Sequence, residues 1–454
     1  MVYSIIQKSQ LEGALRMDAE YYQPEFLGNA KKIENFGFNT LRNLSEIDIT
    51  KGETPLWRGD EYLEKGNPFL RSENLIPSGL NLSNLVFISD KVHERMKRSK
   101  IYPNDILIAI VGATIGQTGL VTEEYSEYNS NQAVAIVRPQ NQKIANYLSI
   151  ILETKICQLQ IERLKGGGSR DNLDLHEVKV IKIPKPKDKI LSYCNQVVNE
   201  VKNLRQQGKF FYSQADNLLL EELGLRDYKK SESLSVIINL SEVENANRID
   251  AEYFQEKYKK LVKKIKLNKA KKLGNLVSIK KGFEPGAEEY KEEGKLFIRV
   301  SSLSVNGVEN SDQKYLSEKL YQELEKDYEP KVGEILLTKD ATPGIAYAVK
   351  EPVEGIMSGG ILRLKIKEKI DAEYLTLCLN SIIGKMQAER DSGGSVIAHW
   401  KPEQIKDILI PILPKKTQQK IADLVQQSHE ARKKAKELLE EAKRKVEEMI
   451  ENKK

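Results

Sequence analysis

Little in this chain invites a metal, a disulfide or a membrane. Its three cysteines, Cys157, Cys194 and Cys378, are far apart and odd in number, which excludes a disulfide framework and a zinc knuckle. Four histidines occur, His93, His176, His399 and His429, none at metal-ligand spacing. The longest apolar runs, such as ILIAIV at 106–111, fall far short of a bilayer span, so no membrane partner is expected. The opening MVYSIIQKSQLEG lacks a basic, long-apolar, small-residue leader pattern, and a cytoplasmic location is expected. No Walker A pattern and no Asn-Pro-Pro-aromatic motif is present, which argues against a nucleotide site of that kind and against a self-contained modifying enzyme.

What is present is a soluble, multi-domain composition. The 454 residues are 40% hydrophobic and 30% charged, too long for one ordinary core and too apolar for disorder. The net charge of +6 is compatible with nucleic acid without demanding it.

The dominant signal is a repeat. RMDAEYYQ at 16–23 returns as RIDAEYFQ at 248–255, a separation of 232 positions. The echo continues along the chain. LRNLSEIDITKGETP (41–55) answers LGNLVSIKKGFEP (273–285), and FLRSENLIPSGL (69–80) answers FIRVSSLSVNGV (297–308). DILIAIVGATIG (105–116) meets EILLTKDATPG (334–344), and YLSIILET (147–154) meets YLTLCLNS (374–381). GGGSRDNLDLHEVKVIKIPKP (166–186) meets SGGSVIAHWKPEQIKDILIPILP (392–414). The offset drifts by a residue or two at turn-rich places, as related domains with altered loops should.

Each copy predicts the same order: short apolar strands with glycine turns, one amphipathic helix (about 144–164 and 371–389), a proline-marked exit, then one long helix. In the first long helix Ile190, Cys194, Val197, Val201, Leu204, Gly208, Phe211, Ala215 and Leu218 alternate spacings of four and three. In the second, Ile421, Leu424, Ser428, Ala431, Ala435, Leu438, Ala442 and Met449 do the same, with Lys445 as a charged break. That narrow seam suits one helical partner, and two head-to-tail copies make the pair antiparallel. The expected fold is α+β: two tandem-repeat globular domains, each followed by a long helix, the two helices pairing as an antiparallel coiled coil. The boundaries read as a first domain at 1–187, its helix at 188–222, a linker and second-repeat start at 223–247, a second domain at 248–414 and its helix at 415–454.

Candidate contact residues lie between the repeated words. Lys51 and Lys281 precede the glycine turns; Arg71 and Arg299 end a strand and are followed by polar clusters holding Asn74 and Ser302. An arginine there reads guanine or a phosphate, or else forms a framework ion pair. GATIGQTG (112–119) lacks the helix start and acidic partner of a dinucleotide loop and reads as a tight turn presenting Thr114 and Gln117; its counterpart carries Lys339 and Thr342. KGGGSR (165–170) and DSGGSV (391–396) are either helix exits or loops whose N–H groups approach a phosphate. They contribute Lys165, Ser169, Arg170 and Ser395, with His399 and Lys401 just beyond. Glu-x-Lys triplets at 153–155 and 177–179 arise freely in a chain this rich in Glu and Lys. No catalytic constellation remains.

With its duplicated RMDAEYY/RIDAEYF entries, Lys-Gly-…-Pro turns, Gly-Gly-Ser…Ile-Pro exits and a long helix after each domain, the whole chain resembles the specificity subunit of type I restriction–modification enzymes. The resemblance implies a noncatalytic subunit whose two target-recognition domains each read one half of a bipartite, asymmetric double-stranded DNA target. It implies that the helices set the gap and dock two methyltransferase subunits, with restriction/motor subunits joining the complex. It implies no cofactor in this chain; S-adenosylmethionine, ATP and Mg are expected on the partners. Gly208, within QQGK, departs from a regular helix and is expected to soften or kink it. The rival from another class is a tandem-repeat interaction scaffold that binds no DNA.

Overall fold

The computed structural model describes residues 4–8, 11, 16–112, 114–165, 172–226, 228, 235–291, 293–309, 313–392 and 399–451. The chain forms two compact units, one of residues 1–204 with 433–454, the other of residues 205–432. The architecture is α+β, and the same topology is built twice.

In the first unit a four-stranded antiparallel sheet runs in the order Thr50–Lys51, Val134–Val137, Ile106–Ala109, Thr118–Leu120. In the second unit the order is Val277–Lys281, Ile361–Ile366, Ile335–Thr338, Ala346–Ala348, again antiparallel. A three-stranded sheet accompanies each: Val86–Ile88, Asn67–Leu70 and Asn129–Ser130 in one, Lys314–Leu316, Lys295–Ile298 and Gly355–Met357 in the other. In both, the last pair is parallel. The central strands Ile106–Ala109 and Ile335–Thr338 are buried at every position, which is why they read as unbroken apolar runs.

The single amphipathic helix expected in each copy is two helices. Gln142–Ile151 is followed by Lys155–Leu164, and Ala372–Asn380 by Ile382–Ser392. The breaks fall at Thr154 and Ser381, whose extended backbone ends the helical ladder. Each hydroxyl donates to the carbonyl three residues back, Ile151 at 2.6 Å and Cys378 at 2.9 Å, a local bond that competes with helix continuation. The hydrophobic period passes through both breaks, so it gave no warning.

These helices are pinned to the exit strand by paired contacts. Tyr147 donates its hydroxyl to the Pro184 carbonyl at 2.7 Å, and Tyr374 donates to Pro411 at 2.8 Å. The Gln160 amide bonds both the N–H and C=O of Lys182, and Gln387 does the same with Leu409, each standing in for a neighbouring strand.

The long helices span Asp188–Glu222 and Lys415–Glu451, and the first is uninterrupted through Gly208. They pair antiparallel. In the first unit Lys445 Nζ lies 4.7 Å from the Tyr193 ring centre; in the second Ser428 bonds the Gly208 carbonyl. The buried face of the second helix keeps the expected Ile421, Ser428, Ala431, Ala435 and Ala442, but takes Val425, Leu439, Val446 and Ile450 in place of Leu424, Leu438, Lys445 and Met449. It advances by about 3.6 residues, the period of a straight helix, so a strict heptad drifts off it. Lys445 is therefore exposed and does not interrupt the seam. Each half-pair enters its own unit's core: Val197, Val201, Ala435 and Leu439 in one, Ala215, Leu219, Ile421 and Val425 in the other. All three cysteines are buried, their thiols pushed by burial up to about 12, well away from reactive thiolate chemistry.

Candidate nucleic-acid interface

The repeated Arg-x-Asp-Ala-Glu-Tyr word is a clamp. Arg16 forks onto both carboxylate oxygens of Asp18 at 2.8 and 2.7 Å and donates to the Leu164 and Lys165 carbonyls at 3.4 Å. Arg248 forks onto Asp250 at 2.7 and 2.6 Å and donates to the Asp391 carbonyl at 3.0 Å. Hydrogen bonding from each arginine holds its aspartate below the usual carboxylate range. The Tyr21 ring lies between Arg16 and Arg163, and the Tyr253 ring between Arg248 and Arg390. Each clamp thus fastens the helix end from which a glycine-rich segment departs. Ser169, Arg170 and Ser395 lie in those segments, outside the described residues. Lys165, at the base of the first, pairs with Glu162 at 2.6 Å.

Segments from several strand ends gather along one rim of each unit. Gly52 and Gly282 make this possible: an added Cβ would stand 1.6 Å from the Ser130 carbonyl oxygen and 2.1 Å from that of Ser358. The backbone frame then repeats bond for bond. Ile110 N–H donates to Ala133 and its carbonyl accepts from Leu173; Lys339 N–H donates to Gly360 and its carbonyl accepts from Trp400. A bridge joins Val111 to Asn172 in one unit and Asp340 to His399 in the other.

The side chains on this common frame differ. Where the first unit has Ile110 and Val111, the second has a charged group. Asp340 pairs with Lys339 Nζ and accepts from His399 Nδ1 at 2.8 Å. Burial pushes its carboxyl up, but Lys339 and His399 outweigh this and hold it below the usual range. Gly359 and Gly360 let Glu284, Val300 and Asp340 close in around the same spot, and Lys281 pairs with Glu284 at 2.7 Å. The structure therefore brings Lys281, Lys339 and His399 together, with the backbone of exposed Thr342 bonded to the Asp340 carbonyl. Asp340, the shared partner of Lys339 and His399, was not singled out from sequence; the sign available was a charged dipeptide where the first copy has an apolar one. Lys401 is exposed, and its N–H is accepted by Gln404 at the start of the helix Pro402–Lys406.

GATIGQTG is the tight connection between the antiparallel strands Ile106–Ala109 and Thr118–Leu120, with Gly112 and Gly116 at positive φ. Thr114 is half-buried, and Gln117 turns inward to donate to the Leu75 carbonyl at 2.6 Å. Arg71 is engaged locally by Glu73 and by the Asn84 carbonyl at 3.1 Å. Buried Asn74 accepts from the Arg71 N–H at 2.8 Å and donates to Asn81 at 2.9 Å; buried Ser302 accepts from the Arg299 N–H at 3.0 Å. Both side chains spend their polar atoms closing the turn after the strand. Lys51 is exposed at the rim. Among the described residues no group of three or more His, Cys, Asp or Glu is arranged to hold a metal, and no helix is long and apolar enough to cross a membrane.

Comparison with known proteins gives three further findings. The chain is 27% identical over 203 residues to the Type I restriction enzyme EcoBI specificity subunit of Escherichia coli; the match spans 43% of this chain and 42% of that protein, less than half its length. Among solved structures it is similar to the S subunit of a type I restriction–modification system from M. genitalium, at 14% identity over 91% of this chain and 95% of that one, with a TM-score of 0.36. It is also similar to the HsdS subunit from Thermoanaerobacter tengcongensis, at 13% identity over 92% and 96% of the two chains, with a TM-score of 0.29. The model of the type I restriction modification DNA specificity domain matches residues 33–208 and again residues 265–444, most of the chain in two copies, and the protein belongs to that family.

Proposed function

We propose that this chain is the noncatalytic DNA-recognition subunit of a type I restriction–modification complex, and that its two domains read different halves of a bipartite, asymmetric target. The observation that carries this reading is the rim: one backbone frame, hydrogen-bonded identically, bearing an apolar pair at Ile110–Val111 and a Lys339–Asp340–His399 group at the matching place. A carboxylate there accepts from the amino group of cytosine or adenine, whereas the exposed Val111 suits a thymine methyl. Two like frames with unlike side chains favour two unlike half-sites.

In this reading the recognition domains are residues 1–187 and 248–414, joined through 223–247. The helices at 188–222 and 415–454 act as the spacer and the dock for two methyltransferase subunits. Thirty-five residues of helix correspond to roughly 50 Å, more than one DNA turn. The chain needs no cofactor of its own; S-adenosylmethionine, ATP and Mg belong to the methyltransferase and restriction/motor subunits. The exposed rim residues proposed to meet DNA are Lys51, Lys281, Thr342, His399 and Lys401, with half-buried Lys339 behind them and the glycine-rich segments.

The test is methylome sequencing of cells carrying the chain with its methyltransferase, before and after exchanging residues 40–180 for those of a relative. One half of the methylated motif should change and the other stay. A change in both halves defeats independent reading, and failure of any methyltransferase to co-purify defeats the assignment. Purified chain alone should transfer no methyl group from labelled donor. Seven residues added to both helices should shift the preferred spacer by about three base pairs, from about 10.5 Å of added helix.

A further inference from the structure

Leu56 and Trp57 stand in a short 3-10 turn, Pro55–Arg58, on the loop that leaves Lys51 and Gly52. Trp57 is 77% exposed and Leu56 52% exposed, whereas the only other tryptophan, Trp400, is 1% exposed. A bare indole beside a bare leucine forgoes the burial that normally recruits such side chains.

The turn is held firmly. Trp57 N–H donates to Thr54 at 3.2 Å, Gly59 N–H to Leu56 at 3.1 Å and Asp60 N–H to Pro55 at 3.3 Å. Arg58 pairs with Glu53 at 3.0 Å, and Arg95 ties Glu53 at 3.3 Å to Asp60 at 2.6 Å. Thr54 meets the side chain of Gln132, which sits next to Ala133 of the rim frame. The turn that carries the indole is therefore tied to the rim, and the indole is presented outward. The second copy has FEPGAEEYKEEG at the same place, with no tryptophan; its Tyr290 packs on Phe297 at 5.7 Å between ring centres, as Tyr62 packs on Phe69 at 5.4 Å in the first.

We propose that Trp57, backed by Leu56, is an aromatic wedge that the first domain sets against a base step of its half-site. This rests on the DNA-reading function proposed above. A base offers a flat π-face to an indole, and an apolar wedge partly unstacks the step it enters. The cost of unstacking differs among steps and is lowest at pyrimidine–purine steps, so the wedge adds sequence choice without a hydrogen bond. Arg58, 60% exposed on its side chain, stands beside the wedge where a phosphate would follow. Pre-bracing by Glu53, Arg95 and Asp60 means that little ordering is needed on contact.

The experiment uses the full chain assembled with its methyltransferase and duplexes carrying the motif found by methylome sequencing. 2-Aminopurine is substituted at each base of the two half-sites in turn. Wild-type complex should brighten 2-aminopurine at one step of one half-site only. Trp57→Ala should abolish that signal and weaken target binding roughly ten-fold or more, the size expected of a lost stacking contact. Trp57→Phe should keep part of both, and thermal unfolding should be unchanged because the indole is solvent-exposed. Unaltered affinity and signal in Trp57→Ala, with the wild type binding its motif, overturns the wedge alone. Loss of the methyltransferase from Trp57→Ala would give the surface to that protein and equally overturn the wedge. If wild-type complex binds no motif, the DNA-reading assignment itself fails.

Discussion

Ser428 donates its hydroxyl to the Gly208 carbonyl at 2.6 Å, from one long helix to the other, and the helix is continuous at that glycine. The missing side chain is what allows the approach: a Cβ on Gly208 would stand 3.0 Å from Arg432 Cγ and 3.2 Å from the Ser428 carbonyl oxygen. Gly208→Val should force the helices apart and cost about 1–3 kcal/mol, the usual penalty of overpacking. Gly208→Ala should come close to neutral, a gain of about 1 kcal/mol in helix propensity offsetting the tight contact. Urea unfolding of both variants checks this; a stabilised valine variant would mean the approach is loose.

The Arg16 clamp should act at a distance from its own position. Arg16→Ala removes charge-assisted bonds to Asp18 and the tie to the Lys165 carbonyl, a loss of roughly 1.5–3 kcal/mol in the first unit. Hydrogen exchange in the last turn of Lys155–Leu164 should quicken, while the matching turn in the second unit keeps its protection. Arg248→Ala should give the mirror result. If DNA affinity is retained in Arg16→Ala despite faster exchange, the glycine-rich segment is only a helix exit.

Arg71 separates reading from framework. Its guanidinium is half-buried, held by Glu73 and Asn84 on one side of the turn that Asn74 closes. Arg71→Ala should weaken binding of the target by about 1–3 kcal/mol and relax one position of one half-site if the group turns outward to a base. Lower stability with unchanged sequence preference would leave it as an ion-pair partner. Asn74→Ala should lower stability either way, by about 1–3 kcal/mol, because it strands the part-buried Arg71 N–H.

His429 makes the second unit acid-sensitive. Burial first, then the Lys350 and Arg432 cations, push its imidazole down to about 3, although Glu373 Oε2 is 3.9 Å away. The neighbouring Tyr347 ring packs against it, and burial raises the Glu373 carboxyl while Lys350 opposes the rise. The folded value lies below the ordinary 6.5, so the unfolded chain takes the proton first. Stability from this group is therefore present above pH 6.5 and lost as the pH falls from there towards 3, by up to about 1.4 kcal/mol per pH unit. The slope of stability between pH 7 and 5 should be shallower in His429→Gln than in the wild type, measured by urea midpoints at each pH. Equal slopes would show that the imidazole protonates in place.

The repeat, the α+β composition, the long helices and their antiparallel pairing were all legible in the sequence, because each is written in local order and period. Tyr147 and Tyr374, or Gln160 and Gln387, recur at matching places because the same bond must be made twice. The breaks at Thr154 and Ser381 were not legible, since a side-chain bond to one carbonyl leaves the hydrophobic period intact. Nor were the one-residue shifts from Leu424 to Val425, Leu438 to Leu439 and Lys445 to Val446, because a strict heptad does not follow the 3.6-residue period of a straight helix. The rim depended most on tertiary structure. Lys281, Lys339 and His399 were candidates by type alone; the Asp340–His399 bridge and the approach of Gly359 and Gly360 to Glu284 and Asp340 make them neighbours. Sequence determined which frame would be built and that its loops would differ. Folding decided which differing side chains meet, because close backbone approach at a few glycines joins segments far apart in the chain, Gly52 to Ser130 and Gly282 to Ser358 among them.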